Sequence, residues 1–161
     1  MDSTLRSARV IVASTRAATG QYPDKTGPVI VEWLGAQDFR VGEPIVVPDG
    51  DTVGAAIRAA VSDGVSLVIT TGGTGLSPTD ATPEQTVPLL DYQIPGLADA
   101  IRRSGLPTVP TSILSRGVCG VAGRTLVVNL PGSTGGVRDG LAVLDGVLGH
   151  ALDQIGGGDH V

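Results

Sequence analysis

The run Thr70-Thr71-Gly72-Gly73-Thr74-Gly75 follows the apolar segment 65–69 without a spacer, and Asp80-Ala81-Thr82-Pro83-Glu84 comes shortly after it. The apolar segment reads as a buried parallel strand. Glycines at such a strand's C-terminal end let the backbone turn sharply and bring amide N–H groups close to an anion. Thr82-Pro83-Glu84-Gln85 reads as a helix start, with Thr82 as N-cap hydroxyl, Pro83 at the first helical position and Gln85 closing a capping box. Strand, glycine loop and helix N-terminus then make a phosphate-binding device. A tight strand-to-helix turn would give the same glycines, and neither GxxxxGK[ST] nor GxGxxG is present. Asp80 weighs toward the anion reading: a carboxylate beside a phosphate cradle is repulsive unless a cation such as Mg²⁺ intervenes. The alternative is a helix-flanking aspartate favoured by the dipole.

Other polar groups end other apolar runs. A first strand over 8–14 ends at Ser14-Thr15, a second over 44–47 at Pro48-Asp49, and a fourth over 125–130 at Asn129-Leu130-Pro131-Gly132-Ser133. Between them the spacing predicts a helix over 28–37 with Ile30, Trp33 and Leu34 on one face. A second helix, capped by Asp51 or Thr52, carries Val53, Ile57, Ala60 and Val61 and stops at Asp63-Gly64. A short helix is expected over 96–104. Ser133 caps one long last helix with Val137, Leu141, Leu144, Leu148 and Leu152 along a face, and Gly156-Gly157-Gly158 frays. An edge hairpin is expected within 106–123.

Strands alternating with helices predict one domain over 1–161, a three-layer α/β/α sandwich on a mostly parallel sheet. Right-handed crossovers bring the strand C-termini to one edge, where ligands sit in such sheets. Two helix N-termini could then serve two anionic groups, and Asp49 with Asp80 could hold a hard cation. Alone, Asp49 reads as a turn aspartate. Together these groups are an inventory for phosphoryl or nucleotidyl transfer without a protein nucleophile.

Composition narrows the field. The 161 residues carry a net charge of −5 and no basic stripe with interleaved aromatics, so nucleic-acid binding is not expected. Aromatic residues are 2% against 41% hydrophobic, so the core must be aliphatic. A single cysteine, Cys119, excludes intramolecular disulfides and cysteine-based zinc or iron–sulfur sites. His150 and His160 read as surface residues, which leaves no histidine-based triad. The apolar runs are too short for a signal or membrane segment, so a soluble, cytoplasmic protein without membrane partners is expected.

The ordered set of TTGGTG with Asp80-Ala-Thr-Pro-Glu, Pro48-Asp49, Asp24-Lys25-Thr26-Gly27, Ser115-Arg116 and Asn129-Leu-Pro-Gly resembles the molybdopterin adenylyltransferase family over nearly the whole chain. The resemblance implies the same α/β sandwich, assembled as a homotrimer. The implied reaction transfers AMP from ATP to the terminal phosphate of molybdopterin and releases pyrophosphate, with Mg²⁺. By motif, Asp49 and Asp80 match the family's two required aspartates. Thr70, Thr71, Gly72, Gly73, Thr74 and Gly75 match one nucleotide-binding loop, and Asn129, Pro131, Gly132 and Ser133 belong to the second. Ser14, Asp24 and Ser115 match positions lining the pterin and nucleotide pockets, although Asp24 also reads as a turn residue and Ser115 as a loop hydroxyl. A molybdate-insertion protein is the implied partner. Two departures stand out: Thr15 where many members carry aspartate, and Thr79 where many carry arginine. They keep open a second reading, a weak or inactive paralogue that binds molybdopterin as a carrier. A hydrolase or phosphatase using the same cradle is disfavoured, because no histidine, cysteine or serine elbow supplies a nucleophile.

Overall fold

A computed structural model describes residues 5–157. Its centre is a pair of strands buried along their whole length, β4 (Leu67–Thr71) and β7 (Thr125–Leu130). They run parallel, with Thr70 opposite Asn129 and Thr71 opposite Leu130. Near-continuous apolar sequence is what a strand covered on both faces requires. Leu67 and Ile69 of β4, with Leu126, Val128 and Leu130 of β7, point to one core, while Val68 and Val127 point to the other.

Around this pair the sheet runs in the order β2-β1-β4-β7-β6-β5, with a further strand also on β1. Strand β1 (Ser7–Ala13) pairs parallel with β4, with β2 (Arg40–Val41) and with β3 (Ile45–Val47). The expected strand over 44–47 is therefore one of two short strands that share the same neighbour. On the other side, β6 (Cys119–Ala122) is antiparallel to β7 and to β5 (Tyr92–Gln93). The edge hairpin expected within 106–123 is corrected: that segment contributes one strand, β6, whose hairpin partner is β7, and β5 forms the sheet's edge. The sheet is mixed, with its parallel strands carrying the polar ends.

One face is covered by α2 (Thr26–Ala36), α5 (Pro95–Arg103), α6 (Thr134–Asp145) and α7 (Leu148–Ile155), through Ile30, Leu34, Ile101, Val137, Leu144 and Leu152 among others. Each fully buried large aliphatic of this set stabilises the fold by about 1.5–3 kcal/mol. The other face is covered by α3 (Asp51–Ser62) through Val53, Ile57 and Ala60. The three-layer α/β architecture is as expected, and its core is aliphatic. Among the described residues no helix is long and apolar enough to cross a membrane.

Several local readings are corrected. Helix α2 begins at Thr26, before Pro28, because Asp24 Oδ1 accepts the Gly27 N–H at 2.9 Å and so serves its first turn. Helix α3 is preceded by Gly50 without a side-chain cap; Asp51 is already helical, and Thr52 Oγ1 donates to the Pro48 carbonyl instead. The single last helix is two, broken at Gly146-Val147, although the apolar spacing runs through the break. Helix α7 ends at Ile155 with Gly156 as its C-cap; Gly158 and His160 lie outside the described residues. His150 is exposed.

Candidate functional site

The carboxyl ends of β1, β3, β4 and β7 meet at one edge, and the glycine turns after β4 and β7 touch there. The Gly72 N–H donates to the Leu130 carbonyl at 3.1 Å, and Thr71 Oγ1 donates to the Pro131 carbonyl at 2.7 Å. A Cβ on Gly132 would stand 3.3 Å from Gly72 Cα. Gly72 and Gly73 have φ of +93° and +69°, and a side chain on Gly72 would collide with the Ala13 carbonyl oxygen. Glycine is therefore required by both conformation and space.

The first threonine of the motif, Thr70, braces the turn from inside, while Thr71 and Thr74 reach the cavity walls. Thr70 and Asn129, opposite each other in the central pair, are buried. Asn129 Nδ2 donates to Thr70 Oγ1 at 2.9 Å and to Thr86 Oγ1 at 3.2 Å, and Oδ1 accepts the Val118 N–H at 3.1 Å. Both side chains are thus engaged inside the protein. Thr82 does not cap its own helix. That helix, α4 (Thr82–Thr86), spans only five residues with Ala81 as N-cap, and Thr82 Oγ1 reaches back to donate to the Gly72 carbonyl at 3.0 Å. The Thr82 N–H also donates to the Gly73 carbonyl, and Gln85 closes no capping box but lies against Gly54. The helix N-terminus in the phosphate-binding device is corrected accordingly. The longer helix pointing at this edge is α6, where Ser133 Oγ accepts the Gly136 N–H at 3.1 Å, as its position before the helix predicts.

Two adjoining cavities open at the edge. The larger, about 630 Å³, is walled by Gly73, Thr74, Gly75, Asp80, Ser115 and Pro131 among others. The smaller, about 480 Å³, has Ser14, Asp24, Thr71 and Gly72 on its wall. Gly132 and Ser133 belong to both, which makes the turn after β7 their common partition. Each volume falls within the range of small-molecule sites. Ser14 additionally caps α1 (Thr15–Ala18), accepting the Ala17 N–H, and Ser115 Oγ donates to Thr74 Oγ1 at 3.1 Å.

Asp49 and Asp80 flank the glycine loop. Asp49 Oδ1 lies 3.2 Å from where a Cβ on Gly73 would stand, and Asp80 Oδ2 lies 2.6 Å from the same point on Gly75. Asp49 is held by Thr15. The Thr15 hydroxyl donates to Asp49 Oδ2 at 3.0 Å and accepts the Asp49 N–H at 3.1 Å, and the Thr15 N–H also reaches Oδ2. One carboxylate oxygen is thereby tied down and the other faces the loop. Asp80 Oδ2 accepts the Ser77 N–H at 3.1 Å, and Thr79 beside it is exposed. Among the described residues no three His, Cys, Asp or Glu side chains converge as a metal cage. Asp80 lines the larger cavity, whereas Asp49 is on the wall of neither and reaches the loop at Gly73; carboxylate oxygens are the donor type that suits a hard cation keeping water and substrate oxygens as its other ligands.

The chain matches, over residues 9–150, the profile of the family described as "Probable molybdopterin binding domain". It belongs to that family. Its relatives include the molybdenum cofactor biosynthesis bifunctional protein of Synechococcus elongatus, 38% identical over 95% of this chain and 48% of the relative. The molybdopterin adenylyltransferase of Escherichia coli K12 is 36% identical over 86% of this chain and 73% of the relative. The chain thus spans about half the length of the bifunctional relatives that it matches. Among solved structures, the molybdopterin biosynthesis Mog protein from Mycobacterium ulcerans superposes with a TM-score of 0.90 at 67% identity, covering 93% of this chain and 99% of that one. The molybdopterin biosynthesis enzyme MoaB from Thermus thermophilus gives 0.88 at 42% identity, covering 96% and 98%. In this molybdopterin-binding-domain member the mixed sheet with helices on both sides is the family's fold.

The partners of two arginines escape the sequence reading. Arg116 Nε donates to the Gly75 carbonyl and Nη2 to the Asp80 carbonyl, both at 2.9 Å, and the two Nη atoms reach the Glu84 carboxylate at 2.7 and 3.3 Å. Hydrogen bonds from Arg116 hold the Glu84 carboxyl below its ordinary range, and the same contact raises Arg116. Arg102 Nη1 donates to the carbonyls of Ser115 and Gly117 on either side of Arg116. Ser115-Arg116 is visible as a motif, but nothing local says which carbonyls its guanidinium will meet. Cys119 is buried, and that burial pushes its thiol up to about 12, so it stays protonated and is no nucleophile.

Proposed function

We propose that this chain is a molybdopterin adenylyltransferase, transferring AMP from ATP to the terminal phosphate of molybdopterin in molybdenum cofactor biosynthesis. The observation that carries the reading is the placement of Asp49 and Asp80 against Gly73 and Gly75 of the loop that lines the larger cavity, which shares the turn at Gly132-Ser133 with the smaller one. A reaction joining two phosphate-bearing substrates needs two compartments with one boundary, and this edge offers them. The adenylyltransferase relatives support the same reading.

In the transfer, an oxygen of the molybdopterin phosphate bonds to the α-phosphorus of ATP, and the bond from that phosphorus to the pyrophosphate oxygen breaks. Asp49 and Asp80 would hold Mg²⁺, which supplies charge neutralisation on the phosphates when bound. The chain's own part is positioning. Glycines 72 and 73 let the turn pack against the Ala13 backbone, Thr82 and Asp49, where no side chain would fit, and Thr15 and Ser77 fix one oxygen of each aspartate. The N-terminus of α6, at the partition between the cavities, favours negative charge there. The proposal includes a cytoplasmic homotrimer and a molybdate-insertion protein as the consumer of the product, both by family resemblance.

The test is pyrophosphate release from ATP with molybdopterin and Mg²⁺, native chain against Asp80→Ala. Loss of at least about a hundredfold in rate, with the far-UV spectrum unchanged, is expected for removal of a metal-holding carboxylate. A native chain that binds molybdopterin yet releases no pyrophosphate would be the carrier instead. Thr15 and Thr79 would then be the first positions to revert to aspartate and arginine.

A further inference from the structure

Between the glycine turn and α4, residues 76–81 belong to no helix or strand, yet they carry Asp80. Within the loop, the Asp80 N–H donates to the Ser77 carbonyl and the Ser77 N–H to Asp80 Oδ2. These bonds close the loop on itself and do not fix it to the sheet. A segment tied only to itself opens at low free-energy cost.

Thr82, just past the loop, is tied to the Gly72 and Gly73 carbonyls, and Arg116 supplies the anchorage of the loop itself. Its backbone N–H donates to the Thr74 carbonyl at 2.7 Å, at the start of the loop. Its guanidinium meets Gly75 and Asp80, and ends as a fork on the Glu84 carboxylate in α4. One residue thus spans both ends of the loop and the helix beyond it. Arg116 is itself fixed, since Arg102 of α5 grips the carbonyls before and after it and the Asn129 amide holds the Val118 N–H two residues on. The planar five-donor fork is what makes three directions reachable at once, and an ammonium on a flexible stem cannot copy it.

We propose that Arg116 is the positioning residue of Asp80: it clamps the loop so that the aspartate stands against Gly75 beside the larger cavity. The inference rests on the adenylyltransferase reading for its catalytic consequence, and on the geometry alone for the clamp.

The experiment is Arg116→Lys in the full chain, read two ways. Amide hydrogen exchange over residues 75–84 should accelerate about tenfold or more, while exchange in β4 and β7 stays as in the native protein. In the pyrophosphate assay, kcat should fall by about ten- to a hundredfold and the Mg²⁺ concentration for half-maximal rate should rise, with the KM for ATP changed by less than about threefold. A purely structural arginine would lower the thermal midpoint and leave kcat per folded molecule and the Mg²⁺ dependence alone. If Arg116→Lys does not fold, Glu84→Gln weakens the far end of the same fork and should shift both readouts in the same direction by less. Unchanged exchange over 75–84 in the folded variant overturns the clamp. A native chain without pyrophosphate release overturns the adenylyltransferase reading instead, and exchange alone then decides for or against Arg116.

Discussion

Replacing Asn129 by alanine separates two roles for this residue, ligand contact and internal brace. The residue is 2% exposed, and its side chain makes three hydrogen bonds, two donated to the Thr70 and Thr86 hydroxyls and one accepted from the Val118 N–H. Losing the two donated bonds costs about 1 kcal/mol each, and leaving a buried N–H without an acceptor costs about 1–3 kcal/mol more. A water entering the space recovers part of this, so the expected loss is about 3 kcal/mol. For a domain of this size that lowers the thermal midpoint by about 6–12 °C. Urea unfolding followed by fluorescence of Trp33, the chain's one tryptophan, and by circular dichroism measures it. Asn129→Asp should cost a similar amount, because it keeps an acceptor for Val118 but loses the amide protons facing both hydroxyls. A cost below about 1 kcal/mol, accompanied by weakened nucleotide binding, would refute the brace and return Asn129 to the ligand surface.

Three further outcomes follow from the same geometry. Gly72→Ala puts a Cβ into the Ala13 carbonyl oxygen at a φ of +93°, and should destabilise by at least about 3 kcal/mol in urea unfolding; a loss under about 1 kcal/mol would count against the turn as described. Thr15→Val removes both hydroxyl bonds to Asp49 and should cost stability less than about 1 kcal/mol. It should nonetheless raise the Mg²⁺ needed for pyrophosphate release, with Thr15→Ser near native; equal Mg²⁺ dependence in Val and Ser variants would show that Asp49 orients itself. Glu84 has its carboxyl held below the ordinary 4.5 by hydrogen bonds from Arg116, so the pair's stabilisation is present above that value and is lost as pH falls through the lower folded-state value. The stability difference between native protein and Glu84→Gln should be flat from about pH 5 to 8 and shrink below 4.5; a difference that grows in acid would reverse the assignment.

The division between what could be read and what could not follows the range of the forces involved. Ser133 before its helix, the buried strands ahead of both glycine turns and the glycines at their ends were legible, because capping, pleat and positive φ act over a few neighbouring residues. Thr82 carries every sign of an N-cap, yet its hydroxyl goes to the Gly72 carbonyl, which is a neighbour only in the folded chain. The break in the last helix was masked because Val137, Leu141, Leu144, Leu148 and Leu152 keep one spacing through it; Gly146, the C-cap of α6, was the available sign. Thr70 and Asn129 sit in motifs that suggest ligand contact, but the pairing register of β4 and β7 turns them toward each other and away from the cavities.

The order of residues along the chain sets the chemical inventory: two aspartates, two glycine turns, an aliphatic core and the strands that must carry them to a single edge. Which polar groups face the cavities and which brace them is settled only by packing in three dimensions. A hydroxyl, amide or guanidinium can satisfy itself with any partner within reach, and sheet register and the packing of α5 and α6 determine which partners those are.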